Sequence, residues 1–173
     1  MEVGETDFSP QKIVKNALEE VYDKGFVKYG QAKGMPAFRT ALAESVSKTC
    51  GANSKPENII VCPGARFAVY LSITTLLNAG DEIIIIEPTW PAYRECAQNS
   101  GIKVRSIKTT IENRWEPSVQ QIENAINLNT KMIVLNYPNN PTGKILPPKI
   151  QDKIVELAIK NNLYILSDEI YSQ

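Results

Sequence analysis

The stretch Asp81-Glu82-Ile83-Ile84-Ile85-Ile86-Glu87-Pro88-Thr89-Trp90 decides the fold class of this chain. Its four consecutive isoleucines are β-branched and predict a strand that ends at Glu87-Pro88. Because the run is continuous and does not alternate with polar residues, it predicts burial on both faces of a sheet. Burial on both faces is typical of parallel sheets that are covered by helices.

Other segments predict the neighbours of this strand. Three apolar runs, 59–62, 132–135 and 163–166, predict buried strands, and the charged, alternating segment 103–108 predicts a more exposed one. Helical spacing predicts helices over 11–22, from Pro36, over 91–99, at 119–126 and from Pro147. One more helix is predicted after Gly64, with an apolar stripe formed by Phe67, Tyr70, Leu71, Thr74 and Leu77. Strand and helix alternate, which predicts right-handed βαβ crossovers and a layered α/β fold.

Composition excludes several classes of function. The 173 residues are 43% hydrophobic and 22% charged, which is the range of globular domains. Nineteen basic and nineteen acidic residues give no net charge, which argues against nucleic-acid or membrane-surface partners. The chain has no histidine, so catalytic triads with histidine and histidine-ligated metal sites are excluded, and we predict no metal site. Three scattered cysteines and an acidic start favour a reducing, cytoplasmic location.

Unusual polar and aromatic residues follow the predicted strands, where open α/β sheets bind ligands. Pro63-Gly64-Ala65-Arg66 opens a helix and predicts either a phosphate cradle or an ordinary tight turn. Trp90 either stacks on a flat ligand ring or fills the core. The loop 136–143, Asn-Tyr-Pro-Asn-Asn-Pro-Thr-Gly, has a fixed, non-repetitive course and asparagine side chains that can donate into a cleft. Asp168 ends a buried strand, where it either faces a cation or caps a helix.

Six motifs together resemble the class I/II aminotransferases, the fold type I enzymes that depend on pyridoxal phosphate. The motifs are 4–8, 28–30, 61–66, 88–93, 136–143 and 167–171. They occur in the order and at the spacing of that family, and they cover essentially the whole chain. Within the family, they are most similar to the aspartate/aromatic-type branch. The resemblance implies a three-layer α/β sandwich with a mostly parallel sheet, incomplete at its C-terminus. It divides the chain into an N-terminal arm with a linking loop, 1–34, and a partial large domain that binds the cofactor, 35–173.

The resemblance also implies a role for each site residue. Asp168 pairs with the pyridine nitrogen of the cofactor, and Tyr171 and Asn140 hydrogen-bond its phenolate oxygen, so that Asp168 and Tyr171 are the catalytic candidates. Trp90 stacks on the ring, and Gly64, Ala65 and Arg66 hold the phosphate. The resemblance also implies that Tyr29 contacts a phosphate in the neighbouring subunit, and therefore that the protein is a homodimer. It implies that the Gly4 backbone contacts the substrate carboxylate. Trp90 and Asn140 also border the substrate, an amino acid or a 2-oxo acid.

Two departures from the family pattern limit the expectation. Thr6 stands where the family usually has proline. The Schiff-base lysine and the carboxylate-binding arginine of the family follow the Ser-Asp-Glu-Ile-Tyr motif beyond Gln173, and Lys144 matches no catalytic position.

We therefore expect a fragment of an aminotransferase that is inactive alone. The alternatives are a C–S lyase or related enzyme on the same scaffold, and a non-catalytic binding module that lost the lysine. A dinucleotide-binding domain is disfavoured, since no Gly-x-Gly-x-x-Gly follows a strand.

Overall fold

The computed structural model of the chain describes residues 7–25 and 28–172. The chain divides into two compact units, Met1–Val61 and Cys62–Gln173. The domain boundary predicted between residues 34 and 35 stays a prediction about the whole protein. Among the described residues, no helix is both long and apolar enough to cross a bilayer.

The first unit contains two helices, α1 (Lys12–Asp23) and α2 (Pro36–Cys50), and a 3-10 turn (Pro56–Asn58). Both helices were predicted from apolar spacing. The α1 helix is amphipathic, and its apolar side chains are exposed within this unit. Pro36 begins α2 at the position where its missing N–H costs nothing, and Gly51 ends it in the left-handed conformation (φ 65°).

The predicted strand at 59–62 is wrong. Ile59 is extended, but residues 59–62 belong to no strand of the described sheet. The Ile59 carbonyl accepts a hydrogen bond from Arg39 Nε (3.1 Å), and the Val61 N–H donates to the Lys33 carbonyl (3.0 Å). A strand needs a ladder of backbone bonds, and here the polar groups of the segment have other partners.

The second unit is a parallel sheet covered by helices. Its strands are β1 (Glu82–Glu87), β2 (Lys103–Lys108), β3 (Thr130–Asn136) and β4 (Tyr164–Asp168), in the spatial order β2-β1-β3-β4 with every pair parallel. The helices are α3 (Ala65–Leu76), α4 (Ala92–Asn99), α5 (Val119–Ala125) and α6 (Pro148–Lys160). The predicted α/β fold with a mostly parallel sheet is confirmed.

The four isoleucines of β1 explain why the fold has three layers. Successive side chains of a strand point to opposite faces, so Ile83 and Ile85 pack in one hydrophobic cluster and Ile84 and Ile86 in another. The first cluster lies under α3 and α4, and the second lies under α5 and α6. All four isoleucines are buried, and each contributes about 1.5–3 kcal/mol to the free energy of folding.

The predicted apolar stripe of α3 is only partly right. Leu77 is buried as expected, but Phe67 and Tyr70 are 45% and 47% exposed. Val69 and Ile73, four residues apart, face the sheet instead. The helix is apolar on more than one face, so spacing alone does not determine which face packs.

The strand order creates a crevice at the carboxyl edge of the sheet. From β1 the chain crosses to β2 on one side, and β3 then lies on the other side of β1. The connecting helices follow opposite faces, since α4 belongs to the first cluster and α6 to the second. The segments that follow β1 and β3 therefore diverge at the carboxyl edge of the sheet and leave a crevice between them. Open α/β sheets bind ligands in such a crevice.

The opposite edge of the sheet is closed by a buried carboxylate. Glu82 is 6% exposed and accepts hydrogen bonds from Arg105 Nε and Nη2 (3.0 and 3.1 Å), Asn127 Nδ2 (2.6 Å) and Thr130 Oγ1 (3.0 Å). Burial raises the pKa of this carboxyl, but the hydrogen bonds and the charge of Arg105 outweigh it, so the pKa lies below its ordinary value.

Glu82 therefore stabilises the fold in its ionised form. Its contribution is full above the unfolded-state pKa, near 4.5, and is lost as the pH falls through the lower folded-state pKa. We expect Glu82→Gln to lower the unfolding free energy at pH 7 by about 1–3 kcal/mol. Urea unfolding between pH 7 and 3 should show this deficit shrinking below about pH 4.5. A deficit that does not change with pH would contradict this assignment.

Candidate functional site

A cavity of about 220 Å³ occupies the crevice at the carboxyl edge of the sheet. Five predicted site residues line it: Ala65, Trp90, Asn140, Asp168 and Tyr171. Three other residues complete the lining: Tyr93, Asn136 and Ile170. The structure thus brings together residues from the starts of α3 and α4 and from the ends of β3 and β4.

Asp168 forms one wall of the cavity at the end of β4. Its Oδ2 accepts a hydrogen bond from the Tyr93 hydroxyl (2.6 Å), and its Oδ1 accepts one from the Ile170 N–H (3.2 Å). Burial, and then the hydrogen bond to Asp168, raise the pKa of Tyr93 well above its ordinary value. The tyrosine is therefore a permanent donor, and the carboxylate is fixed as its acceptor.

Aromatic rings form a second wall after β1. Trp90 and Tyr93 meet edge to face, with ring centroids 5.5 Å apart. Trp90 also packs against the first hydrophobic cluster, so the core-packing alternative holds, while its stacking on a ligand ring stays a prediction. The Arg66 guanidinium lies 5.0 Å from the centroid of the Trp90 ring and pairs with Glu95 (3.5 Å). Arg66 is thus next to the cavity but already has partners.

The loop after β3 is held by two buried asparagines. Asn136 Oδ1 accepts from the Asn140 N–H (3.0 Å), which fixes the backbone of the predicted site residue. Asn139 Nδ2 donates to the Pro88 carbonyl (3.3 Å), and its Oδ1 accepts from Thr142 N and Oγ1 (3.1 and 2.6 Å). Asn139 therefore links the loop after β3 to the loop after β1, across the crevice.

The start of α3 forms a third wall. Gly64 precedes this helix with φ 88°, a conformation that L side chains rarely adopt, and Ala65 begins the helix. No side chain of the described residues caps this end. The first N–H groups and the positive end of the helix dipole are thus available to an anion beside the cavity.

The structure does not test every predicted site residue. Gly4 lies outside the described residues. Tyr29 is fully exposed in the first unit, and its predicted contact with a neighbouring subunit stays a prediction. Lys144 donates to Glu116 (3.0 Å), and the described residues that line the cavity include no lysine. Among the described residues, no cluster of three or more histidine, cysteine, aspartate or glutamate side chains is arranged to hold a metal ion.

Sequence reasoning assigned no individual role to Tyr93, Asn136 or Asn139, although it placed the two asparagines in a loop whose side chains can donate into a cleft. The partner of Tyr93 is 75 residues away, and Asn139 bonds to a carbonyl 51 residues away. Local sequence contains no signal for such pairs. The only available indication was that all three belong to motifs that flank the carboxyl ends of strands.

The arrangement has the chemistry of a site for a small anionic heteroaromatic ring. The Asp168 carboxylate lies at one wall of the cavity, and the rings of Trp90 and Tyr93 form a second wall. The start of α3, which no side chain of the described residues caps, forms a third wall. Such a site can hold a protonated ring nitrogen and a phosphate at once.

Comparisons with known proteins agree with this geometry. The family model for aminotransferase class I and II matches residues 1–173. Aspartate aminotransferase of Pyrococcus horikoshii is 38% identical over 98% of this chain and 43% of its own length. Aspartate/prephenate aminotransferase of Thermus thermophilus is 35% identical over 97% of this chain and 44% of its own length.

Solved structures show the same likeness. A double mutant of Thermus thermophilus aspartate aminotransferase superposes with a TM-score of 0.94 at 35% identity, over 98% of this chain and 44% of that one. The chain therefore spans less than half the length of these relatives. With the family model matched from end to end and the motifs gathered around one cavity, this chain belongs to the class I and II aminotransferases.

Proposed function

We propose that the cavity binds pyridoxal phosphate and that the whole protein transfers amino groups between an amino acid and a 2-oxo acid. The observation that carries the proposal is the Asp168 carboxylate, fixed in an aromatic-walled cavity beside the free start of α3. The names of the relatives favour aspartate as the amino acid.

The residues present fit this cofactor. Asp168 would hold the pyridine nitrogen in its protonated form, since an opposite charge favours the charged form of a base. Asn140 and Tyr171 have side-chain donors for the phenolate oxygen, and Trp90 offers a ring for stacking. The backbone of Gly64, Ala65 and Arg66 would hold the phosphate. When bound, pyridoxal phosphate supplies an electron sink for reactions at the amino-acid α-carbon.

The described residues that line the cavity include no lysine, so a covalent link to the cofactor would need a lysine from elsewhere in the whole protein. We therefore propose that these 173 residues bind the cofactor without a covalent link and do not transfer amino groups by themselves. In the whole protein, the neighbouring subunit of a homodimer would contribute Tyr29, and Gly4 would meet the substrate carboxylate. A cytoplasmic location is part of the same proposal.

Arg66 tests the placement of the phosphate. Its side chain is 66% exposed and already contacts Glu95 and Trp90, so we expect a modest effect. Arg66→Ala should weaken binding of pyridoxal phosphate about threefold to tenfold and leave the binding of pyridoxal, which lacks the phosphate, nearly unchanged. Isothermal titration with both ligands measures this. Equal losses for the two ligands would contradict a phosphate contact, and Arg114→Ala, a surface arginine away from the lining, serves as the control.

The activity is tested on the longest protein that contains these residues. Purified protein with pyridoxal phosphate, aspartate and 2-oxoglutarate should form oxaloacetate and glutamate. Release of pyruvate and ammonia from a sulfur-containing amino acid, without amino transfer, would indicate a C–S lyase instead. Cofactor binding with neither reaction would indicate a binding module.

A further inference from the structure

Tyr93 is the largest buried side chain that reaches the cavity without a role in the proposed function. It lies in the first turn of α4, its residue is 0% exposed, and its ring belongs to the first hydrophobic cluster. Its hydroxyl nevertheless leaves the cluster and donates to Asp168 Oδ2 at 2.6 Å. A phenylalanine would fill the same core space, so packing does not explain the hydroxyl.

The hydrogen bonds of Asp168 leave room for further donors. An ionised carboxylate has about four lone-pair sites. Two are used, Oδ2 by the Tyr93 hydroxyl and Oδ1 by the Ile170 N–H, and each carboxylate oxygen is thereby oriented. The remaining sites are available to a ligand in the cavity that Asp168 lines.

We propose that Tyr93 is a positioning residue that orients Asp168 and, through it, keeps the pyridine nitrogen of the bound cofactor protonated. The inference rests on the proposed function. The hydroxyl holds the carboxylate in one orientation, so its negative charge faces the ring nitrogen and favours the protonated form of that nitrogen. The same ring packs against Trp90 in an edge-to-face pair, so one side chain contacts two walls of the cavity.

Other ionisable groups of the described residues lie near this pair, among them Glu169, which follows Asp168 in the chain. Tyr171 lines the same cavity. Arg66 and Glu95 face each other beside Trp90, and Cys96 on α4 is partly buried with a pKa raised mainly by that burial. Tyr93 is the group among these with a direct hydrogen bond to Asp168.

The test compares Tyr93→Phe with Tyr164→Phe. Tyr164 lies at the other end of β4, half exposed and remote from the cavity lining, so this variant makes the same chemical change on the strand that carries Asp168. The 173-residue chain is saturated with pyridoxal phosphate labelled with ¹⁵N at the ring, and the nitrogen shift is followed by NMR from pH 5 to 9. Circular dichroism confirms that each variant is folded.

For Tyr93→Phe we expect the pH of half-protonation of the ring nitrogen to fall by about half a unit to one unit. The dissociation constant should rise about threefold to tenfold. Tyr164→Phe should match the parent chain in both. An unchanged half-protonation pH in Tyr93→Phe overturns this inference and leaves cofactor binding intact. Failure of the parent chain to bind the cofactor overturns the proposed function and the inference together.

A second variant covers the case in which Tyr93→Phe does not fold. Replacing Tyr93 with 3-fluorotyrosine keeps the ring and makes the hydroxyl a stronger donor. The half-protonation pH should then rise relative to the parent chain. No change, or a fall, overturns the inference, because a purely structural role would not move this value with donor strength.

Discussion

Asp168→Asn should weaken the binding of pyridoxal phosphate to this chain by about tenfold to a hundredfold. The amide keeps the size of the carboxylate and still accepts the hydrogen bond from Tyr93, but it removes the negative charge that pairs with the ring nitrogen. A hydrogen bond to a charged group is worth about 1.5–3 kcal/mol, which sets the size of the effect. Isothermal titration at pH 7 measures the two dissociation constants.

The matched control for this prediction is Asp152→Asn. Asp152 is exposed on α6 and does not line the cavity. Its replacement by asparagine changes the net charge by the same amount as Asp168→Asn. It should leave the dissociation constant within about twofold of the parent value. Equal weakening by the two variants would show that general charge, and not Asp168, determines the affinity.

Ile133→Ala should lower the free energy of unfolding by about 2–5 kcal/mol. Ile133 is 0% exposed in β3, which pairs with both β1 and β4, and it packs in the second hydrophobic cluster. The missing methyl groups leave a cavity that the surrounding helices fill only in part. Because β3 carries Asn136 at its end, the loss also loosens the crevice. Urea unfolding at pH 7 measures the change.

Ile111→Ala makes the same substitution at a residue that is 68% exposed. Its effect should stay within about 0.5 kcal/mol. Ile133→Val, which removes a single methylene, should cost about 0.5–1.5 kcal/mol. If Ile133→Ala costs no more than Ile111→Ala, the assignment of Ile133 to the core is wrong.

The four strands of the described sheet were all predicted from the sequence, three of them because they are continuous apolar runs. The isoleucines of β1 are β-branched and continuous, and the helices after Pro36 and Pro148 have clear starts. The segment 59–62 has the same apolar character, but its hydrogen-bond partners are Arg39 and Lys33, which no local pattern reveals. Strand propensity favours an extended chain and does not provide a partner.

The site, like the fold, has residues that the sequence predicts and residues that only the structure reveals. Trp90, Asn140, Asp168 and Tyr171 were predicted because they belong to motifs whose order is informative, and the structure places them around one cavity. Tyr93 and Asn139 act through contacts between distant segments, so only the fold shows what they hold in place. The predicted roles of Tyr29 and Gly4 involve a partner subunit and a substrate, so they stay predictions to be tested on the whole protein.

A crystal structure of the 173-residue chain grown with pyridoxal phosphate tests the central claim most directly. The account predicts the ring in the cavity beside Trp90, its nitrogen hydrogen-bonded to Asp168, and its phosphate at the first N–H groups of α3. Well-defined cofactor bound elsewhere, or an empty cavity at saturating cofactor, would contradict it.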